Sequence, residues 1–127
     1  MPAEGHYPYQ AQIDAYGNGG FRFAGMSHRG SMLCLPTGMH AWPVESGADV
    51  TLETLAPVLA IADDIDVLLI GLGHDIAAID PLLRQAFRER RVIVEAIATG
   101  GAVRTYNVLL GERRAVAAAL VSVESPR

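Results

Sequence analysis

The feature that most constrains this fold is the alternation of short apolar runs with helical periodicity in the second half of the chain. The runs DVLLIGLG (66–73) and VIVEAIA (92–98) are almost continuously apolar, which is typical of strands buried on both faces of a parallel sheet. A segment of helical periodicity separates them, so the three together make a β-α-β unit with a right-handed crossover. We therefore expect the strands at 67–71 and 92–97 to be adjacent and parallel.

The segment between these runs, IDPLLRQAFRERR, has the clearest helical signals in the chain. Asp80 is an expected N-cap and Pro81 occupies the first helical position, where its missing N–H costs nothing. Four apolar residues recur at helical spacing and are the predicted buried stripe: Leu82, Leu83, Ala86 and Phe87.

A second β-α-β unit follows directly. Thr99 is the expected cap of a helix that Gly111 ends. Its predicted inner face consists of Ala102, Val103, Tyr106 and Leu110. The chain then closes with RRAVAAALVSVE, a predicted strand rich in small residues, so two consecutive units predict a sheet covered on both sides.

The first third of the chain indicates β structure. Gly17-Asn18-Gly19 lies between two alternating runs, and Asn-Gly is a strong hairpin signal because both residues tolerate positive φ. We expect HRGSMLCLP to form one further strand and AWPV a short edge strand. A helix is expected from Thr51, although a start at Thr54 would place Pro57 in its first turn.

Length and charge limit the class of protein. The 127 residues predict one α/β domain over 8–124, with flexible ends at 1–7 and 125–127. The net charge of −4 argues against a nucleic-acid partner, which a basic patch would attract. No apolar run approaches the roughly 18 residues that span a bilayer. We therefore expect a cytoplasmic protein without a transmembrane segment, and peripheral association with the inner membrane stays open.

Motifs for catalysis or cofactors are weak. GLGHDI has Ile76 where a dinucleotide fingerprint requires a third glycine, and the next helix begins late. His74 and Asp75 have no partners at metal-ligand spacing. Cys34 lies in an apolar strand, where a buried thiol is inert. We therefore expect no cofactor, no metal and no catalytic residue.

The best candidate binding site is the turn TGGAVRTYN together with the preceding glycine-rich strand end. A strand that ends in glycines and enters a helix presents backbone N–H groups to an anion, and Arg104 can add a bidentate contact. In a parallel sheet both turns lie at the same edge. The candidate residues are Gly71, Gly73, His74, Thr99, Gly100, Gly101, Arg104 and Asn107. The alternative is architecture alone, with Thr99 as a cap and Arg104 paired with an acid such as Glu112.

Several runs together resemble one known family: Gly30-Ser31-Met32-Leu33 with Trp42, the strand end at 69–73, and Arg104-Thr105-Tyr106-Asn107 followed by Arg113. This is the small α/β family of unknown biochemical activity that includes mitochondrial complex I assembly factor 3 and the adipogenesis-associated domain protein. The resemblance covers nearly the whole chain. It implies a three-layer α/β fold with a mixed central sheet and an added layer from the N-terminal hairpin.

For the mitochondrial members the resemblance also implies a role in assembling the respiratory NADH:quinone oxidoreductase, whereas the bacterial members have no settled function. For this chain, which looks like a bacterial member, our first hypothesis is a non-enzymatic assembly or chaperone-like factor. Its partner would be a protein, such as a subunit or assembly factor of the respiratory NADH:quinone oxidoreductase. Two other readings stay open. One is a protein or enzyme that binds a small anionic ligand at Thr99–Asn107, and the other is a homo-oligomer, such as a homodimer, without a ligand.

Overall fold

The computed structural model describes residues 6–74 and 79–126, and in them the chain forms two sheets and three α-helices. The strands are β1 His6–Tyr7, β2 Ala15–Gly17, β3 Gly20–Phe23, β4 Met26–Arg29, β5 Met32–Leu35, β6 Gly38–Ala41, β7 Val67–Gly71, β8 Ile93–Ile97 and β9 Val116–Leu120. The helices are α1 Ala56–Leu59, α2 Pro81–Glu89 and α3 Thr99–Gly111.

The central sheet has six strands in the order β1-β6-β5-β9-β7-β8 and is mixed. β7 pairs in parallel with β8 on one side and with β9 on the other. The remaining pairs, β9 with β5, β5 with β6 and β6 with β1, are antiparallel. The expected parallel pairing of the strands at 67–71 and 92–97 is confirmed, with Val67 opposite Ile93 and Gly71 opposite Ile97.

Side chains of the central sheet alternate between two apolar clusters, one on each face. Leu68 and Ile70 join α1 and α2 on one face, whereas Leu69 joins α3 and the second sheet on the other. Helices α2 and α3 lie on opposite faces of the sheet. The first crossover runs from β7 to β8 on one side, and the second runs back from β8 past β7 to β9. Two right-handed crossovers in opposite directions place their helices on opposite faces. The fold is thus the expected three-layer α/β arrangement with an N-terminal β layer.

The second sheet consists of β2, β3 and β4, all antiparallel. Its first turn is the expected hairpin, in which Asn18 and Gly19 have φ of 52° and 75°. The prediction of a single strand over 28–36 is wrong, because β4 and β5 belong to different sheets and Gly30, with φ of 90°, lies between them. The expected strand AWPV is also wrong, since β6 ends at Ala41 before Pro43, which has no N–H to donate.

The long helix expected from Thr51 does not form. Thr51 and Thr54 instead bond to each other, with the Thr54 N–H donating to the Thr51 hydroxyl at 3.1 Å. Helix α1 covers only four residues and carries Pro57 in its first turn, as the later start required. The threonine turn satisfies the backbone locally and so competes with helix formation.

Helix α2 begins as expected, because the Asp80 carboxylate accepts from the Leu82 N–H at 2.9 Å. Leu83 and Phe87 are buried, Ala86 is half-buried, and Leu82 is 66% exposed, so its assignment to the buried stripe was wrong.

Three other elements also differ from expectation: β8, the end of α3, and β1. β8 is an edge strand that exposes Ile93, not a strand buried on both faces. Gly111 remains helical, and the chain leaves α3 through Arg113, with φ of 62°. His6 and Tyr7, expected in a flexible end, pair with His40 and Met39 of β6.

Candidate functional site

Thr99 lies at the junction of β8 and α3 but does not cap the helix. The N-cap position is Ala98, and the Thr99 side chain makes no capping bond. Its hydroxyl instead accepts from the Gly73 N–H at 2.9 Å and donates to the Val121 carbonyl at 2.7 Å. The capping role predicted for Thr99 is therefore wrong: the fully buried hydroxyl joins the carboxyl ends of three strands.

The two turns of the candidate site do lie side by side. The Thr99 N–H donates to the Gly73 carbonyl at 2.9 Å, and the Leu72 N–H donates to the Ile97 carbonyl at 2.8 Å. At Gly71 an added Cβ would lie 2.9 Å from the Thr99 Cα and 3.2 Å from the Leu120 side chain. The glycine thus allows the close approach that the junction requires. The N–H groups of Leu72, Gly73 and Thr99, which could have met a ligand, already have partners in the protein.

The groups that remain available at this edge are the first-turn amides of α3 and exposed side chains. Gly100 is buried and Gly101 half-buried in that turn, where N–H groups have no helical acceptor. Arg104 and His74 are exposed. Among residues 6–74 and 79–126 Arg104 forms no ion pair, with Glu112 or any other acid. Binding of an anion here stays a prediction, and it depends on these amides and Arg104.

Asn107, also a candidate, has a different set of contacts. Its side-chain oxygen accepts from the Ile13 N–H and its amide donates to the Ile13 carbonyl, both at 2.8 Å. The Gln12 side chain donates to the Asn107 carbonyl at 2.9 Å. Asn107 therefore holds the segment before β2 against α3, as a neighbouring strand would. The Asn107 side chain faces this segment, and sequence spacing carries no signal of a contact that joins residues so distant along the chain.

Tyr106 and Cys34 form a buried polar pair beneath α3. Both side chains are completely buried, as predicted, and the Tyr106 hydroxyl donates to the Ala11 carbonyl at 2.7 Å. Burial raises the pKa of the Cys34 thiol well above its usual value, a shift that the hydrogen bond with Tyr106 partly offsets. Burial, and then the neighbouring Cys34, raise the pKa of Tyr106 in the same direction. Both groups stay protonated at neutral pH.

A surface that the sequence did not single out lies along β8 and α3. Helix α3 packs mainly over β7 and β9 and leaves the same face of β8 largely uncovered. On that face Ile93 is 63% exposed, and Val108 of α3 is 59% exposed. We call this the β8 surface and define it by Ile93, Glu95, Ile97, Arg104 and Val108. In the sequence, the residue that could have revealed this surface is Val108. It is an apolar residue one helical turn from Arg104 and outside the predicted inner face of the helix.

Contacts between α3 and β8 show how the two elements run beside each other along the β8 surface. An added Cβ at Gly101 would lie 3.2 Å from the Ile97 side chain, so this side of α3 is next to β8. Val108 follows Gly101 by two helical turns, roughly 10 Å along the axis, and Ile93 precedes Ile97 by about 13 Å along the strand. Since α3 returns antiparallel to β8, Ile93 and Val108 lie near the same level.

The remaining predictions concern Asp75 and Ile76, metal ligands and membrane-spanning helices. Asp75 and Ile76 lie outside the described residues, which exclude 75–78. Across the described ranges no three His, Cys, Asp or Glu side chains lie close enough to hold a metal ion. Within the same part of the chain, no helix has the length and apolarity to cross a membrane.

Sequence comparison identifies relatives over most of the chain. The protein is 39% identical over 120 residues to an uncharacterised protein of Rhodobacter capsulatus. The match covers 94% of this chain and 91% of the Rhodobacter protein. It is 33% identical over 109 residues to NADH dehydrogenase (ubiquinone) 1 alpha subcomplex assembly factor 3 of Xenopus tropicalis. That match covers 86% of this chain but only 60% of the Xenopus protein. The chain therefore spans about three fifths of the length of that relative.

Solved structures share the fold. A crystal structure described as an outer membrane protein from Bartonella henselae is 50% identical, with a TM-score of 0.89, and covers 94% of this chain and 100% of its own. An NMR structure of a Rhodopseudomonas palustris protein is 44% identical, with a TM-score of 0.82. The match covers 97% of this chain and 93% of the Rhodopseudomonas chain. A family model described as "Protein of unknown function (DUF498/DUF598)" matches residues 13–121, and the resemblance to the assembly-factor family is thereby confirmed. The protein belongs to this family.

Proposed function

We propose that the protein is a non-enzymatic assembly factor that binds a subunit or another assembly factor of the respiratory NADH:quinone oxidoreductase. The names of its vertebrate relatives support this role. The structural observation that carries the proposal is the β8 surface, where Ile93 and Val108 expose apolar side chains of one strand and one helix. Burying such side chains against a partner contributes favourable free energy, about 25 cal/mol per Å².

The face of β8, rather than its free edge, is the docking site we propose. The Arg84 guanidinium of α2 donates to the Val94 carbonyl and so covers part of that edge. A partner that added a strand would have to displace this arginine, whereas a partner on the face meets no such barrier. Glu95 and Arg104 are both exposed beside the apolar residues. We therefore expect the partner to present an apolar side chain flanked by a cationic group for Glu95 and an anionic group for Arg104.

Capture from the native bacterium tests this proposal. Tagged protein is incubated with detergent-solubilised membranes and cytoplasm separately, and bound proteins are identified by mass spectrometry. We expect subunits or assembly factors of the NADH:quinone oxidoreductase in the wild-type eluate. Their presence in the membrane fraction would support action in the cytoplasm at the inner face of the membrane.

Matched variants locate the surface. Ile93→Asp and Val108→Asp should each abolish capture, because a carboxylate would have to be desolvated in the interface. Leu82→Asp is the control, since Leu82 is 66% exposed on α2, across the sheet, and should capture as the wild type does. Equal capture by all three variants, or eluates without components of this enzyme, would contradict the proposal. A second copy of the chain as the sole bound protein would instead indicate the homodimer.

We retain the binding of a small anion at Thr99–Asn107 as a second proposal. Its support is the proximity of Gly73 to Thr99 and the exposure of Arg104 next to the first-turn amides of α3. Titration with inorganic phosphate should then shift the amide resonances of Gly100 and Gly101, and Arg104→Ala should remove the response. Unchanged resonances at both glycines would leave this turn a purely architectural junction.

A further inference from the structure

The outer face of the three-stranded sheet is concave and lies away from the sites described above. It encloses a cavity of about 470 Å³, a volume within the range of small-molecule sites. Strand register places a common set of side chains on this face, because residues two apart on a strand point the same way. They are Ala15, Gly17, Gly20, Arg22, Ser27 and Arg29.

The concavity results from the small residues in that set. The opposite side of β3 carries Phe21 and Phe23, which are buried against the central sheet. On the outer side Gly20 cannot be enlarged, since an added Cβ would collide with the His28 carbonyl. The floor of the cavity therefore carries only small side chains, with the Pro126 ring next to Gly17 at one end, and both arginines line the cavity.

Arg22 and Arg29 are diagonal neighbours on this face. Arg22 is opposite Ser27, and Arg29 follows Ser27 by two residues on β4. Diagonal positions of this kind are roughly 7–8 Å apart, within reach of one another for long side chains. Both arginines are exposed, and in the described part of the chain neither takes part in an ion pair. Two unneutralised guanidinium groups thus face one cavity in a chain with a net charge of −4.

Two acids lie near these arginines, and in the described part of the chain neither forms an ion pair with them. The Asp14 N–H donates to the Arg22 carbonyl at 2.7 Å, but Asp14 is not part of the cavity lining. An oxygen of Glu124 would lie 2.8 Å from an added Cβ at Gly19, which places this carboxylate at the tip of the hairpin. Glu124 is absent from the lining of the cavity, which otherwise includes Tyr16, Asn18, Phe21 and His28. The cavity wall therefore offers two cations and a hydroxyl at Ser27.

We propose that this cavity, which we call the arginine cavity, binds a phosphate group carried by a small molecule. A phosphate dianion offers enough oxygens to accept bidentate hydrogen bonds from two planar guanidinium groups at once. It also removes the repulsion between the two arginines. The cavity volume of about 470 Å³ leaves room for an organic group attached to the phosphate. The site is independent of the β8 surface and does not require the assembly role.

Amide-resolved NMR titrations of the full chain test the proposal. The probes are inorganic phosphate, phenyl phosphate, and vesicles of phosphatidylcholine with or without phosphatidylglycerol. We expect saturable shifts of the amide resonances of Arg22, Ser27 and Arg29, with phenyl phosphate binding more tightly than inorganic phosphate. A response to the anionic vesicles alone would assign the phosphate to a lipid headgroup and overturn the small-molecule assignment.

Variants separate a built site from general cationic attraction. Arg22→Ala and Arg29→Ala should each weaken binding of phenyl phosphate by roughly tenfold or more, and Arg22→Lys should recover only part of it because a lysine cannot bind bidentately. Arg88→Ala, which removes an exposed arginine of α2, is the control and should bind as the wild type does. All variants are checked for native spectra. Equal weakening by Arg88→Ala, or no saturable shift in this sheet, overturns the proposal.

Discussion

At the scale of single residues, Thr99 has the largest structural role of the candidate site. Its hydroxyl bonds to backbone groups that follow β7 and β9, while its own backbone begins α3. One side chain therefore fixes the three parallel strands relative to one another. A β-branched hydroxyl residue suits the position because the methyl group fills the buried junction while the oxygen both accepts and donates.

Thr99→Val should destabilise the protein by about 2–4 kcal/mol, because it keeps the shape of the side chain but leaves a buried N–H and a buried carbonyl without partners. Thr99→Ser is the matched variant. It retains both bonds and should lose only about 1 kcal/mol for the missing methyl group. Urea unfolding measures both. A loss of similar size in the two variants would show that the methyl group, not the hydroxyl, accounts for the stability.

The pair of Cys34 and Tyr106 predicts a loss of stability at alkaline pH. In the unfolded chain these groups release protons near their ordinary pKa values of 9.0 and 10.0, whereas burial keeps both protonated in the folded protein. Above pH 9.0 the unfolded state therefore binds fewer protons, and the free energy of unfolding decreases as pH rises. Urea unfolding below pH 9.0 and above pH 10.0 should show this decrease.

A double variant provides the control for the alkaline effect. Cys34→Ala with Tyr106→Phe removes both titrating groups, so the slope of stability against pH should become flatter than that of the wild type. The variant will also be less stable overall, since it loses the hydrogen bond to Ala11. An unchanged slope would assign the alkaline effect to other groups.

At the scale of secondary structure, α2 shows how a helix meets its sheet. Leu83 and Phe87, four residues apart, are buried, whereas Leu82 is 66% exposed. The two leucines are adjacent and have the same chemistry, but about 100° separates them around the helix axis. The residue at which the helix begins, fixed by the cap at Asp80, therefore determines which of the two leucines faces the sheet.

Leu83→Ala should cost about 2–5 kcal/mol, because it leaves a cavity in the core. Leu82→Ala should change stability by about 0.5 kcal/mol or less, as is usual for exposed positions. Thermal unfolding followed by circular dichroism compares the two under identical conditions. Comparable losses in both variants would mean that Leu82 is covered in solution, for instance by a second copy of the chain.

The β-α-β half of the fold follows from local signals, whereas the rest depends on long-range contacts. The order of β7, α2 and β8 could be predicted because Asp80 and Pro81 mark the helix and the apolar runs mark the strands. The separation of β4 from β5 at Gly30 could not, since a continuous alternation carries no sign of a change of sheet. Likewise the contacts of Asn107 with Ile13 join distant segments, so spacing alone indicated a ligand role instead.

At the scale of the whole molecule, the segment after β9 joins the two sheets. The Asn18 N–H donates to the Glu124 carbonyl at 2.6 Å and the Gly19 N–H donates to the Val123 carbonyl at 2.9 Å. The Ser122 N–H donates to the Ser31 hydroxyl at the link between β4 and β5. An isolated hairpin is marginally stable at best, and a small sheet depends on an apolar face for its stability. This segment and the shared apolar cluster therefore hold the second sheet in place.

Removal of residues 124–127 should therefore loosen the second sheet while the central sheet stays intact. The truncation deletes the acceptor of the Asn18 N–H and the contact of Pro126 with Gly17. Amide hydrogen exchange should accelerate at Asn18 and through β2 and β3, because local opening requires less free energy there. Exchange in β7 should be unchanged. A matched variant, Ser125→Ala, keeps the backbone and should exchange as the wild type does. Equal acceleration in β7 and β3 would show that the two sheets unfold as one unit, with the C-terminal segment contributing to the stability of both.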